Sequence, residues 1–541
     1  MSLNNLLSRK PSVSTLYFYL TTFFNVVFIL FSISLLNKDG LHVFINSDTL
    51  YLPSIYQDIT EFGHSLKGWH LNPAPNFFPD MLLYAAIAIF SNNFIVSIIA
   101  FAVIQYLLII FLANKALQPC VSQKERYFTL AIGNLFLALI PLSTYFANDF
   151  HFSFHLISNA YHNGAFINAL IALNLFIRFI KNKSYTQLSL LLLTIFVGVL
   201  SDRFFIFYFI LPSVGVAIFS LLDKTIRKNS IIYIGSTILV TGISITTFNL
   251  LKVYKLLVVF SRTLKLTPQI ILDAWNMFAE QFSYYFSEFD SRSFALYFSL
   301  ISIFLLGRFI YVRIKNKTLR VLDSKFLVVL FLFCFIPLVL FIPILLGVYT
   351  GWDTIRYNFQ TIIVGLLFVG LTLNYSANKT KQAITFVLTP SVLIALVFTC
   401  SILFSKTFYT GLNGVVNFYP EKVETIDKIT EEHNLQFGVA PYWTAKYTMM
   451  LSKNNVRTYT CYPEMTPWYH ACNEKWFYFN PYTKDSVDFN FVVIDGPKHE
   501  KFFKELLGEP LEIIDTNAVK IYITKPFRYN PKTYLPYYIN N

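Results

Sequence analysis

The chain has 541 residues, of which 55% are hydrophobic, 18% aromatic and only 13% charged, and its mean hydropathy is +0.52. Soluble chains carry about 25% charged residues, whereas here 58 Phe and 34 Tyr join Leu and Ile in apolar runs long enough to cross a bilayer, which excludes a soluble multidomain protein, a disordered chain, a coiled coil and a disulfide scaffold. The formal charge of +13 raises nucleic acid as a partner, but the basic residues sit in short clusters between apolar runs, where the positive-inside rule accounts for them, and no nucleic-acid partner is expected.

The first apolar run, Val13 to Leu36, follows Arg9 and Lys10 with no small-residue cleavage site behind it, so it reads as a retained helix with a cytoplasmic N-terminus. Further spans are expected at 81–114, 127–147, 164–180, 186–200, 204–222, 230–251, 294–312, 326–348, 358–375 and 383–404, eleven crossings in all. The stretch 81–114 exceeds one span and is interrupted by Ser91-Asn92-Asn93. Counted as one net crossing, it puts Lys115/Lys124/Arg126, Lys181/Lys183, Lys224/Arg227/Lys228, Arg313/Lys315/Lys317/Arg320/Lys325 and Lys379/Lys381 on the cytoplasmic side; two crossings would strand them outside. The outer loop 252–293 is the exception, with Lys252, Lys255, Arg262 and Lys265 beside the apolar Leu256 to Phe260. These lysines and arginines either snorkel from a membrane-surface helix or cradle the phosphate of a lipid carrier.

After Phe404 the composition turns mixed and polar, with a helix-like Glu421 to His433 and strand-like Gln436 to Ala440, Asn490 to Asp495 and Val519 to Thr524. The expected architecture is therefore a mainly α polytopic membrane domain, 1–404, followed by a small extracytoplasmic α/β domain, 405–541. Of five cysteines, Cys120 should be cytoplasmic and Cys334 and Cys400 lie in apolar helices, which leaves Cys461 and Cys472 together in the exported domain, either bonded or free. The sequence has no repeat of 20 to 50 residues and no inverted pair of interrupted helices such as many transporters carry.

Candidate chemistry gathers in the outer loops 37–80 and 148–163. Asp48 follows Ser47 and precedes an apolar, aromatic stretch, so it would lie at the membrane surface, where a carboxylate keeps its charge only by finding a cation or donors. It is either a general base or metal ligand, or the N-cap of a helix starting at Thr49. In the second loop, Asn148-Asp149 is followed by His151 and His155, four apart and on one helical face, a spacing open to metal binding or to a structural role. Ser201-Asp202-Arg203 reads as an internal ion pair or as functional charge in a short outer turn. Arg356 and Tyr357, in Trp352-Asp353-Thr354-Ile355-Arg356-Tyr357-Asn358, read as an interfacial anchor or as a guanidinium fork for phosphate.

Taken together, a first helix, an outer loop with Asn46-Ser47-Asp48-Thr49-Leu50-Tyr51, a Pro- and Trp-rich stretch ending Phe77-Phe78-Pro79-Asp80, a second acidic loop at Asn148-Asp149, the late Arg356-Tyr357 and a C-terminal exported domain resemble the GT-C superfamily of integral membrane glycosyltransferases. Protein O-mannosyltransferases and the bacterial aminoarabinose transferase belong to it. The resemblance implies a polyprenyl-phosphate or diphosphate sugar donor, an extracytoplasmic acceptor and a chain in the bacterial inner membrane. By position it assigns catalysis to Asp48 and Asp149. Arg356, Tyr357, Arg203, Lys252, Lys255, His151 and His155 are the expected substrate-binding set. The family's adjacent acidic pair is missing, since Asp48 is flanked by Ser47 and Thr49, and a divalent cation is the one cofactor left open. Asp48 would deprotonate or orient an acceptor hydroxyl or amine for in-line attack at the anomeric carbon, with inversion, while the cations stabilise the leaving phosphate. Aromatic residues at 438–446 and 462–469 would stack on the acceptor sugar or form a lid. The rival readings are a transporter or flippase of lipid-linked glycans, a glycan ligase or polymerase, and a non-catalytic scaffold.

Overall fold

The computed structural model describes residues 12–159, 161–260, 266–316, 322–373 and 378–538. Arg9, Lys10, Arg262, Lys265, Lys317 and Arg320, on which part of the topology reading rests, lie outside the described residues, as do the side chains of Lys379 and Lys381. The chain divides into a helical unit, Met1–Gly40, Asn76–Phe248 and Thr263–Val416, and an α/β unit, Leu41–Pro75, Asn249–Arg262 and Asn417–Asn541. Each unit is made of three chain segments that alternate along the sequence, and the last change of unit comes after Val416, near the boundary expected at 404. Helix Lys406–Val416 belongs to the helical unit because it packs on helix Val13–Ser34, where a Cβ on Gly411 would overlap the Ser34 carbonyl.

Among the described residues of the chain, seven helices are long and apolar enough to cross a membrane: Val13–Ser34, Phe94–Leu117, Asn163–Asn182, Arg227–Val253, Ser291–Lys315, Ser324–Leu345 and Thr385–Leu403. Phe77–Ala88, Tyr185–Ser201 and Ile206–Ser220 are apolar but shorter. The break inside 81–114 falls where Asn93 caps helix Phe94–Leu117, accepting from the backbone of Ile95 at 2.8 Å and Val96 at 3.2 Å.

Two expected spans are not continuous helices. For 127–147, helix Gln123–Leu137 ends before Pro141, and a four-residue turn, Ser143–Phe146, follows. The hydroxyls of Ser143 and Ser153 donate to the Ile140 carbonyl at 2.7 and 2.8 Å, supplying a bond that a continuing helix would have made. For 358–375, helix Phe359–Leu367 gives way to a 3₁₀ turn, Val369–Thr372. Proline is tolerated inside helix Ser324–Leu345 by a similar repair: Pro343 cannot donate to the Val339 carbonyl, and Asn358 Nδ2 donates there instead at 3.1 Å. Buried amides also tie helices together, since Asn25 Nδ2 donates to the Asn134 carbonyl at 2.8 Å and Asn134 Nδ2 to Thr22 Oγ1 at 2.9 Å.

The α/β unit is built on a sheet ordered β4-β3-β6-β8-β7, with β9 also on β8. Its strands are β3 (Phe437–Ala440), β4 (Arg457–Thr460), β6 (Phe489–Ile494), β7 (Glu512–Asp515), β8 (Lys520–Tyr529) and β9 (Pro536–Tyr538). β3 runs parallel to both β4 and β6, and all four of its residues are buried, which explains its unbroken apolar run. Helices Glu421–Glu432 and Tyr442–Leu451 supply Ile426, Ile429 and Ala445 to a core with Val456, Phe491 and Ile521. A second sheet, β2-β1-β5, joins Val258–Val259, Trp69–Leu71 and Cys472–Asn473. Of the two alternatives for Cys461 and Cys472, the structure has the free thiols: Cys461 Sγ faces His499 Nε2 at 3.8 Å, and Cys472 Sγ donates to the Trp468 carbonyl at 3.8 Å.

Candidate functional site

Asp48 lies in a turn whose geometry is set by Asn46. The Asn46 Oδ1 accepts from the backbone N–H groups of Asp48 and Thr49, both at 2.9 Å, and the helix begins at Tyr51 rather than at Thr49. Asp48 is therefore not the N-cap. Its Oδ1 accepts instead from the Tyr442 hydroxyl at 2.7 Å, and Ser47 Oγ donates to the Tyr442 carbonyl at 2.9 Å. Tyr442 opens helix Tyr442–Leu451 directly after Pro441, where proline's fixed φ suits a helix start.

One turn further along that helix is Lys446, 2% exposed, whose Nζ has no hydrogen-bond partner among the described residues. Burial brings the ammonium pKa down to about 8, against the opposing influence of Cys472 and Asp48. His470 is the neighbouring imidazole. Burial and the Lys446 charge push it down to about 4 against Asp48, and its Nδ1 is also unpartnered. Its ring lies 5.3 Å from Tyr442, 5.7 Å from Trp468 in a stacked arrangement, and 5.1 Å from Phe260. One carboxylate, one buried amine, one neutral imidazole and an aromatic wall thus meet within the α/β unit. Such a set can accept a proton at Asp48 and hold a polar ligand against flat rings.

Asp58, in the same unit, has a different function. Its buried carboxylate accepts from Trp69 Nε1 and Trp476 Nε1, both at 2.7 Å, and from Asn473 Nδ2 at 2.8 Å, with His64 Nδ1 at 2.8 Å. With four partners it is saturated and acts as a pin between the β1 and β5 segments. Lys252 ends helix Arg227–Val253 half-buried, and Lys255 is exposed with a left-handed φ of 53°.

The other expected site residues belong to the helical unit and divide into separate groups. Asp149 caps helix Phe150–Ile157, accepting from Phe152 N–H at 3.2 Å, and its Oδ2 pairs with Arg292 Nη1 at 2.9 Å. Arg292 also pairs with Asp290 at 2.5 Å. His151 is exposed, 3.9 Å from Asp353, whereas His155 is buried, and burial together with Arg356 holds its imidazole at about 3. The two histidines therefore do not converge on one ligand. Arg203 lies over the Phe248 ring at 4.4 Å, and the partner of Asp202 is His162, Nδ1 to Oδ2 at 2.6 Å, so the Asp202–Arg203 ion pair is corrected.

Arg356 and Tyr357 do fall in a cluster. The guanidinium sits over the Tyr161 and Tyr357 rings at 5.2 and 5.3 Å, and the His162 ring lies 5.1 Å from Tyr357. Asp80, 2% exposed, has the Asp202 charge as a neighbour, has no partner for Oδ1 among the described residues, and is accommodated because residue 164 is glycine, where an added Cβ would overlap Asp80 Oδ2. An apolar cavity of about 790 Å³ in this unit is lined by Phe136, Leu139, Phe298, Leu305 and Val387 among others. Among the described residues no three His, Cys, Asp or Glu side chains are arranged to hold a metal ion.

The expected site residues left out Lys446 and His470 of the α/β unit and, separately, Asp80 and His162 of the helical unit. Asp80 ends the Phe77-Phe78-Pro79-Asp80 motif, and Lys446 stands four residues after Tyr442, a helical spacing that places both on one face. The chain matches no protein-family model and no curated protein.

Proposed function

We propose that the chain is a lipid-linked-sugar glycosyltransferase of the GT-C kind, in a bacterial cytoplasmic membrane, with its N-terminus cytoplasmic and its α/β unit extracytoplasmic. The observation that carries this reading is Asp48: a carboxylate relieved of capping duty by Asn46, held by the Tyr442 hydroxyl, beside an unpartnered buried amine and an aromatic wall. Asp48 takes the proton of an acceptor hydroxyl or amine as it attacks the anomeric carbon, and the carrier phosphate leaves from the opposite face with inversion. Lipid phosphate is already a stable anion, so its departure needs positive charge rather than a proton donor. Taken by itself, the helical unit carries the Arg356 guanidinium over the Tyr161 and Tyr357 rings and, separately, an apolar cavity of about 790 Å³ of a size that suits part of an isoprenoid chain.

In purified protein supplied with a panel of polyprenyl-phosphate sugars and an envelope acceptor fraction, Asp48→Asn lowers transfer at least ~10²-fold while leaving the melting temperature in place. Transfer by this variant at the wild-type rate would remove Asp48 from the chemistry. A transporter of lipid-linked glycans is the second reading, favoured by the buried Asp80 and Asp202 and the half-buried His162 within the membrane-spanning unit. Carrier-dependent flux across vesicles without any sugar transfer would select it.

A further inference from the structure

Lys446 Nζ lies over the Tyr51 ring, 5.5 Å from its centroid, and has no hydrogen-bond partner among the described residues. A buried ammonium without an acceptor is costly, and lysine has three donors and nothing to accept with. The indole Nε1 of Trp468, another donor-only group, is likewise buried and has no hydrogen-bond partner among the described residues, and the same holds for His470 Nδ1, which donates in one of its two tautomers. The three residues gather around Tyr442: Trp468 and His470 stack at 5.7 Å, Tyr442 contacts both rings at 5.1 and 5.3 Å, and Lys446 stands one turn after Tyr442 on the same helix.

The complement of such a set is an acceptor with concentrated negative charge. Neutral sugar hydroxyls match it poorly, because each brings a donor as well as an acceptor. Tyr462, stacked on Trp468 at 5.0 Å, extends a flat apolar wall suited to the C–H face of a pyranose. Asp48, whose Oδ1 takes the Tyr442 hydroxyl, is the group here that accepts from a hydroxyl.

We propose that Lys446, Trp468 and His470 bind the oxyanion of an acidic sugar, a carboxylate or a phosphate ester on a pyranose ring. As a statement about binding, this stands on its own. As the identity of the acceptor, it rests on the transferase reading, and makes that acceptor an acidic glycan.

The test uses the full chain in lipid nanodiscs, titrated with glucuronate, glucose 6-phosphate, methyl glucoside and inorganic phosphate while tryptophan fluorescence is followed. At least one acidic sugar binds about tenfold or more tightly than methyl glucoside and than inorganic phosphate, the factor expected of one charge-assisted hydrogen bond. The two acidic sugars decide between carboxylate and phosphate. Lys446→Met erases the preference without lowering the melting temperature, and Lys446→Arg keeps part of it. Equal binding of methyl glucoside, equal binding of inorganic phosphate, no saturable binding of either acidic sugar, or unchanged acidic-sugar binding in a folded Lys446→Met variant would each overturn the proposal. If the folded wild-type chain transfers no sugar from any lipid-linked donor while acidic sugars still bind through Lys446, the transferase reading falls and the binding site stands.

Discussion

In the α/β unit the buried carboxylate of Asp58 has four hydrogen-bonding partners, whereas in the helical unit the equally buried Asp80 leaves Oδ1 unpartnered and has Asp202 for a charged neighbour. Burial alone therefore does not separate a structural carboxylate from a chemical one. The number of donors around it does, because a saturated carboxylate has no capacity left for a substrate, while an unsaturated one carries a desolvation cost that only a proton or a ligand relieves.

The sharpest way to break this contrast is to remove each acid. Asp58→Ala leaves two indole N–H groups and an amide without their acceptor, and is expected to destabilise the protein by about 3–5 kcal/mol, read from denaturant melts of the full chain. Asp80→Asn should leave stability unchanged or raised. Similar losses in the two variants would end the distinction.

Lys446 extends the contrast to a cation. Its folded pKa of about 8 lies below the 10.5 of a free lysine, so the unfolded chain holds more protons between those values and stability rises with pH from 8 to 10.5. Lys446→Met removes that slope and stabilises the protein at pH 7 by up to about 3 kcal/mol. Identical pH profiles for the two proteins would mean that the amine is not held in a desolvated site. Gly164→Ala probes the same carboxylate from its neighbour: the added methyl meets Asp80 and costs about 1–3 kcal/mol. Pairing it with Asp80→Ala should restore most of that loss, and no restoration would locate the crowding elsewhere.

What could be read in advance follows the range of the interaction. The strands at Phe437–Ala440 and Phe489–Ile494 and helix Glu421–Glu432 were legible because local pattern and turn residues define them. Seven long helices were legible from hydropathy, but the interruptions near Pro141 and Phe368 were not, because side-chain hydroxyls and close helix packing decide whether a broken backbone is affordable there. Asp48 was found by its position at the end of a polar stretch. Its partner Tyr442 is 394 residues away, and no local signal joins them. The pairing of Asp149 with Arg292, 143 residues apart, was hidden for the same reason.

The small sheet that joins Trp69–Leu71 to Cys472–Asn473 carries a consequence for biogenesis. Residue 69 leaves the ribosome about 400 residues before its partner Asn473, which at ~5–20 residues per second is a wait on the order of 20–80 s. Through that interval the Asp58 carboxylate has been synthesised without Asn473 and Trp476, and the intervening helical unit must be laid down first. Completion of the α/β unit is thus tied to the end of translation, so a ribosome that stalls anywhere before residue 472 releases a chain whose first loop is still without its final partners.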